Sequence, residues 1–244
     1  MKTVKIILLL AAVLIRFLTT PAYSQGLPLF LHSGGVDPTT EGFTLLRLGN
    51  PTLNPVIGDL GLNAWSIHQG SLSDIAQYSQ TLTTQEQGDA ANGWIFSLTV
   101  RALPPFRQPS FGTFGSFSDG AKTYSLLLGA QPSGDPLVQF GNVQYSLTGG
   151  GSGYHNYQLR YQPVIGSASL WIDGTEKLTG LTGASTSSGV KFLWGGGQNP
   201  YGTLAANWNE ASFTIIPEPS TLALLSLGGW FLAASLIRRR RLTL

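Results

Sequence analysis

The chain has 244 residues, no cysteine, 31 glycines and 14 prolines, and only 11% of it is charged. Its formal net charge is +2, but seven of the 14 basic residues sit at the tips, as Lys2, Lys5, Arg16 and Arg238 to Arg241. The stretch between, Gln25 to Ile216, carries a net −4. That excludes an electrostatic footprint for nucleic acid, and the lack of cysteine excludes disulfides and thiolate metal sites.

Residues 1–24 read as a signal peptide. Lys2 and Lys5 form a positive start, and Ile6 to Ile15 form an apolar run of ten residues. Ala22 and Ser24 then place small side chains at the −3 and −1 positions of a cleavage site before Gln25. Ten helical residues span only about 15 Å, half of a hydrocarbon core of about 30 Å. Export follows.

From Gln25 to Ile216 the hydrophobic pattern has period two, with no internal linker or repeat, so a single all-β domain is expected there. Ser71 to Gln80 and Thr83 to Asp89 are the places where short helical turns are expected. Trp94 to Val100 reads as a strand with Ile95 isolated on its polar face. The Phe-, Gly- and Pro-rich stretch from Pro104 to Asp119, with Phe106, Phe111, Phe114 and Phe117, reads as a loop that caps one end of the domain or offers a contact surface. Strands follow at Tyr124–Leu128, Val138–Phe140, Val143–Leu147, Tyr157–Tyr161, Ala168–Ile172, Val190–Trp194 and Ala211–Ile215. Asp173-Gly174 suits a type I′ hairpin turn, which needs positive φ.

Tyr154 to Tyr161, a short turn, and Ala168 to Gly174 resemble a hairpin of laminin-G-like and other concanavalin A-like jelly-roll domains. Ala206 to Ile215 looks like their closing strand and would pair back beside Ser66 and Ile67. The resemblance implies a concanavalin A-like jelly-roll β-sandwich, a scaffold on which aromatic faces stack on sugar rings. Some jelly rolls of this type bind calcium through loop aspartates, but no Asp-rich loop specifies it here, and no cofactor is expected.

Candidate ligand-binding residues are Trp171, Arg160, Trp208 and Asn209. Alternation puts Trp171 on the polar face of its strand, with Gln158 and Arg160 on the partner strand. There Trp171 either meets a sugar or pairs across strands, and Trp208 is either a binding aromatic or a structural plug. Glycan hydrolysis commonly needs two carboxylates about 5–10 Å apart, and no Glu-x-Asp-x-x-Glu strand supplies them. His32, His68 and His155 are too dispersed for a triad or metal cluster and are expected at surface or turn positions.

The tail is the most specific segment. Thr221 to Ile237 is an uncharged run of 17 residues, about 26 Å of helix, followed at once by Arg238, Arg239, Arg240 and Arg241. Arginines stay cytoplasmic, so the preceding domain lies outside. Pro217-Glu218-Pro219, a short apolar helix over 221–237 and a closing arginine cluster resemble the PEP-CTERM sorting signal. That resemblance implies an exosortase, the secretion machinery and the membrane as partners. It also implies passage through the inner membrane to the cell surface or exopolysaccharide matrix of a Gram-negative-type bacterium. The expected function is an exported surface protein whose sandwich binds polysaccharide without catalysis. A structural or protein-contact module and a divergent glycan-active enzyme are the alternatives. The exported product is expected to begin at Gln25 and to lack the arginine cluster; an intact mass that retains either tip on the surface species would contradict this.

Overall fold

The computed structural model describes residues 27–71, 73–103, 110–197 and 205–216. The expected signal peptide with Ala22 and Ser24, the motif Pro217, Glu218 and Pro219, the helix 221–237 and Arg238 to Arg241 lie outside the described residues. Among the described residues, no helix is long and apolar enough to cross a membrane.

The strands in chain order are β1 (Phe30–Ser33), β2 (Thr44–Leu48), β3 (Thr52–Asp59), β4 (Leu62–His68) and β5 (Ile75–Thr81). After helix α1 (Thr84–Ala90) come β6 (Trp94–Leu103), β7 (Ser110–Ser118), β8 (Lys122–Ala130), β9 (Pro136–Phe140) and β10 (Val143–Ser146). The last are β11 (His155–Gln162), β12 (Ser167–Ile172), β13 (Thr175–Leu181), β14 (Ala184–Ser185), β15 (Lys191–Gly196) and β16 (Ala205–Ile215). They build two antiparallel sheets packed as a jelly-roll-like sandwich. The first sheet runs β13-β12-β11-β6-β16-β4-β3, with β1 also on β16. The second runs β10-β9-β8-β7-β15-β5-β2, with β14 on β8.

Alternation sends one face of each central strand into the gap between the sheets. On β6, Trp94, Phe96, Leu98 and Val100 are buried there. The Trp94 ring has Phe96, Phe117, Tyr124, Tyr161 and Phe213 around it, at centroid distances of 4.9 to 6.2 Å. Phe117 and Phe213, from opposite sheets, meet at 4.5 Å. A Cβ on Gly115 would lie 2.3 Å from Leu98 Cδ1, so a glycine on β7 makes the room that Leu98 fills from the facing sheet.

The closing strand pairs as the jelly-roll resemblance implies: Ala206 lies opposite Ile67 and Asn207 opposite Ser66. Asp173 and Gly174 have φ of 49° and 74°, the positive pair that a type I′ turn requires. Thr83 to Asp89 contains α1, opened by a capping box in which Thr83 and Glu86 satisfy each other's backbone N–H.

Three expectations are corrected. In Ser71 to Gln80 the turn is confined to the start, where Asp74 N–H bonds to Ser71 O at 3.1 Å; the rest is β5, with Ile75, Ala76 and Tyr78 buried and Gln77, Ser79 and Gln80 less so. The Phe-rich stretch is a loop only in part, since Ser110–Ser118 is β7, a central strand that places Phe117 in the core. Its small Gly, Ser and Thr residues disguise the strand pattern, and of these Gly115 is where Leu98 arrives from the opposite sheet. Two histidines are also not at the surface. His32 is fully buried, stacked on Trp194 at 4.9 Å, with Nδ1 2.6 Å from Glu41 Oε2. Burial outweighs the Glu41 contact and holds its pKa below the usual 6.5. His155 is buried with Nδ1 2.7 Å from Asp173 Oδ2, and Asp173 Oδ1 accepts the Asn156 N–H, so the pair pins the hairpin turn to β11.

Phe213→Ala is expected to lower stability by about 3–5 kcal/mol, measured as a shift in the denaturant midpoint. A loss inside the roughly 0.5 kcal/mol scatter of surface substitutions would mean the inter-sheet aromatic layer does not hold the sandwich.

Candidate functional site

The other face of the first sheet is turned away from the core, and it is not an ordinary charged surface. Register puts Trp171, Gln158, Ser97 and Ser212 in one row across β12, β11, β6 and β16. The adjoining row is Ser169, Arg160, Ile95 and Thr214, and a further one is Asn156, Thr99 and Glu210. Ser97, Ser169 and Ser212 are each at most 8% exposed although they point outward, so the strip is recessed.

Two flanks make the recess. On one, the Arg160 guanidinium lies 4.0 Å over the Trp171 ring, while Trp171 Nε1 donates to Ser169 Oγ at 2.9 Å. Arg160 Nε donates to Gln158 Oε1 at 3.1 Å. This cation–π contact holds the guanidinium over the indole. On the other side the β3–β4 hairpin folds onto the sheet. Asp59 Oδ2 accepts from Tyr154 Oη at 2.8 Å and from Asn207 Nδ2 at 2.7 Å, and Asp59 Oδ1 pairs with Arg101. Arg101 Nε also donates to Ser152 O at 2.9 Å, tying in the loop before β11.

Between the flanks lies a groove of about 170 Å³, lined by Pro28, Ile95, Ser97, Gln158, Glu210, Ser212 and Thr214. Cavities that enclose small molecules are about 300–1,000 Å³. This one is an open contact surface. Asn156 Nδ2 donates to Ser97 Oγ at 2.8 Å and to Thr99 Oγ1 at 3.0 Å, and Ser212 Oγ donates to Glu210 Oε1 at 2.9 Å. The floor is therefore pre-set in orientation, and each hydroxyl oxygen keeps a lone pair to offer. Ile95 and Pro28 supply the apolar part.

Of the residues singled out from sequence, Trp171 and Arg160 come together on this face. Trp208 does not join them: it is fully buried, 4.9 Å from Trp194 in the core, and acts as a plug. The bulge between Trp208 and Glu210 turns it inward, an interruption of alternation that the sequence does not announce. Asn209 sits at that bulge, with Nδ2 donating to Asn63 O at 2.8 Å, so it fastens β4 rather than lining the groove. Ser97, Glu210 and Ser212 were missed singly. Their only trace is the run of hydroxyl and amide residues at alternate positions of β6 and β16.

The loop aspartates spend their oxygens on backbone. Asp74 accepts N–H groups of Asn50, Gly70 and Ser71, Asp119 those of Ala121 and Lys122, and Asp135 that of Gly151. Among the described residues, no group of three or more His, Asp or Glu side chains converges as a metal site.

Residues 216–241 match the PEP-CTERM protein-sorting motif. The chain carries that motif directly behind its sandwich, which marks it as exported by way of processing at a membrane. No curated protein matches the chain. Among solved structures, a carbohydrate esterase from the Shiga toxin-encoding bacteriophage phi24B is similar at TM-score 0.58 and 10% identity, over 77% of this chain and 98% of that one. Botulinum neurotoxin type C is similar at TM-score 0.52 and 10% identity, over 77% of this chain. The binding domain of botulinum neurotoxin serotype D/C follows at TM-score 0.51 and 11% identity, over 78%. The chain spans 48% and 49% of those two toxin structures. At these identities the likeness establishes the fold.

Burial works against ionisation of Asp59, but its bonds to Asn207, Tyr154 and Arg101 prevail and hold its carboxyl below the usual 3.8. A depressed carboxylate pKa gives stability that is present above the unfolded value and lost as pH falls through the folded one. Protection factors of the β3–β4 amides are thus expected to drop below about pH 3.8 and to lose that pH dependence in Asp59→Asn, as read by hydrogen exchange. Unchanged protection in acid would remove Asp59 as the fastener of this flank.

Proposed function

We propose that the sandwich is a non-catalytic polysaccharide-binding module of an exosortase-sorted surface or matrix protein, and that it binds along the outward face of the first sheet. The observation that carries this is the recessed strip itself. Hydroxyl and amide side chains in β-register surround the apolar Ile95, with Pro28 at the edge and the Arg160–Trp171 pair on the neighbouring strands. A pyranose ring has the matching chemistry: hydroxyls at its edge for Ser97, Ser212, Thr214 and Gln158, and a C–H face for Ile95 and Pro28. Fixed donors and acceptors need no reordering on binding, which limits the entropic cost.

Binding without hydrolysis is supported by the groove's charge. Glu210 is the one carboxylate among its lining residues, where glycoside hydrolysis commonly uses two. The His155–Asp173 pair lies at the hairpin turn, and His155 Nε2 is 3.3 Å from Gly151 O rather than beside a hydroxyl nucleophile. Among proteins of this fold, botulinum neurotoxin type C depends on interaction with two ganglioside molecules to enter cells, so the scaffold is compatible with sugar recognition. The proposal rests on the groove rather than on that likeness.

Saturable binding to the producer's exopolysaccharide or to an arrayed glycan is expected for the 25–216 fragment. Trp171→Ala is expected to weaken it about tenfold or more, with circular dichroism unchanged. Equal affinity in Trp171→Ala and Ser97→Lys would move the site elsewhere. Retention of proteins alone, with no glycan bound, would turn the reading to a protein-contact module.

A further inference from the structure

Both ends of the described domain leave from one pole. Leu29 N–H bonds to Phe213 O at 2.8 Å beside the C-terminal end of β16, and Ile216 N–H bonds to Gly93 O at 2.9 Å. The chain is thus fixed to the sandwich up to residue 216, and the sorting motif begins there, at residues 216–241. No linker separates them. From Ile216 to the start of the uncharged run at Thr221 is five residues, at most about 17 Å of extended chain. Whatever holds that run in a bilayer also keeps this pole within about 17 Å of the bilayer surface.

The pole is built for such a neighbour. A Cβ on Gly93 would lie 3.3 Å from Ile216 Cδ1 and 3.5 Å from Pro163 Cδ, so the β11–β12 turn stands beside the chain exit. That turn presents Val164 at 99% and Ile165 at 67% exposure. Gly166 N–H donates to Gln162 O at 2.9 Å, so the turn is closed by its own backbone and offers both side chains without collapse. Leu27, exposed at 94%, leaves the same end. At the chain exit an open recess of about 700 Å³ is lined by Leu27, Pro28, Leu29, Ile215 and Ile216 together with Glu86, Asp89 and Asn92. Three large apolar side chains exposed around one exit suit an apolar neighbour, and the acids beside the exit disfavour an anionic one.

We propose that this pole is a bilayer-docking surface, with the Val164-Ile165 turn entering the headgroup–acyl boundary of a zwitterionic membrane until the tail is removed. This rests on the sorting tail and is independent of the glycan reading. Two side chains would bind a membrane weakly on their own. The covalent tail raises their effective concentration at the surface, so docking is strong while it is attached and is lost on its removal. Tail removal then releases the domain, which links processing to a change of location.

The chain contains no cysteine, so single labels can be placed without background. The full chain carrying Val164→Cys or Ile165→Cys, labelled with an environment-sensitive dye, is reconstituted in phosphatidylcholine nanodiscs containing headgroup-region spin-labelled lipid. Both labels are expected to be quenched several-fold more than a label at Thr175→Cys, on the turn at the far end of the sheet. Quenching should persist in high salt and vanish once the tail is cut. Equal, weak quenching at all three sites would overturn the proposal. So would shielding of Val164 only when the processing peptidase is co-reconstituted, which would make the pole a protein-docking face.

Discussion

The structure depends on filling the space between two sheets with aromatic rings. Trp94 touches rings from both sheets, and Phe117 meets Phe213 across the gap. Each such pair adds about 0.5–1.5 kcal/mol beyond its buried area. A chain without cysteine has no crosslink to share that task. The layer also fixes every register, because a slip of one residue would turn Trp94 and Phe96 out to water and bring Ser97 and Thr99 in.

That same alternation makes the outward face. When β6 commits Trp94, Phe96 and Leu98 inward, Ile95, Ser97 and Thr99 must point out, and β16 answers with Thr214, Ser212 and Glu210. The face is therefore rigid for reasons unrelated to binding. It becomes a groove only because the β3–β4 hairpin is drawn down by Asp59 and because Arg160 lies flat on Trp171. A pre-formed polar strip suits a ligand rich in hydroxyls, since little has to be ordered when it arrives.

The domain has two distinct regions of potential contact. The recessed face carries a row of hydroxyl and amide side chains, whereas the pole where the chain leaves exposes Leu27, Val164 and Ile165 and lies next to the sorting motif; Pro28 lies at the border of the two. Acidic Glu86 and Asp89 lie at the edge of the pole, and Arg160 on Trp171 and Arg101 on Asp59 stand on the two flanks of the lateral face.

The sequence by itself determined the sorting tail, the all-β character, the Asp173-Gly174 turn and the pairing of the closing strand with Ser66 and Ile67. The first three are local chemistry or a short periodic pattern: an uncharged run before arginines, alternation of period two, a turn that requires positive φ; the pairing came from the resemblance to jelly-roll domains. Only the tertiary structure decided that Trp208 faces inward, that His32 is buried, and that β5 and β7 are strands. The bulge at Trp208, the glycine that Leu98 needs on β7, and the contacts of Asp59 with residues 42 to 148 positions away depend on what arrives from the facing element. No window along the chain contains that partner. The site is legible as Trp171 and Arg160 and illegible as a groove, because its floor is assembled side by side from strands that are far apart in sequence.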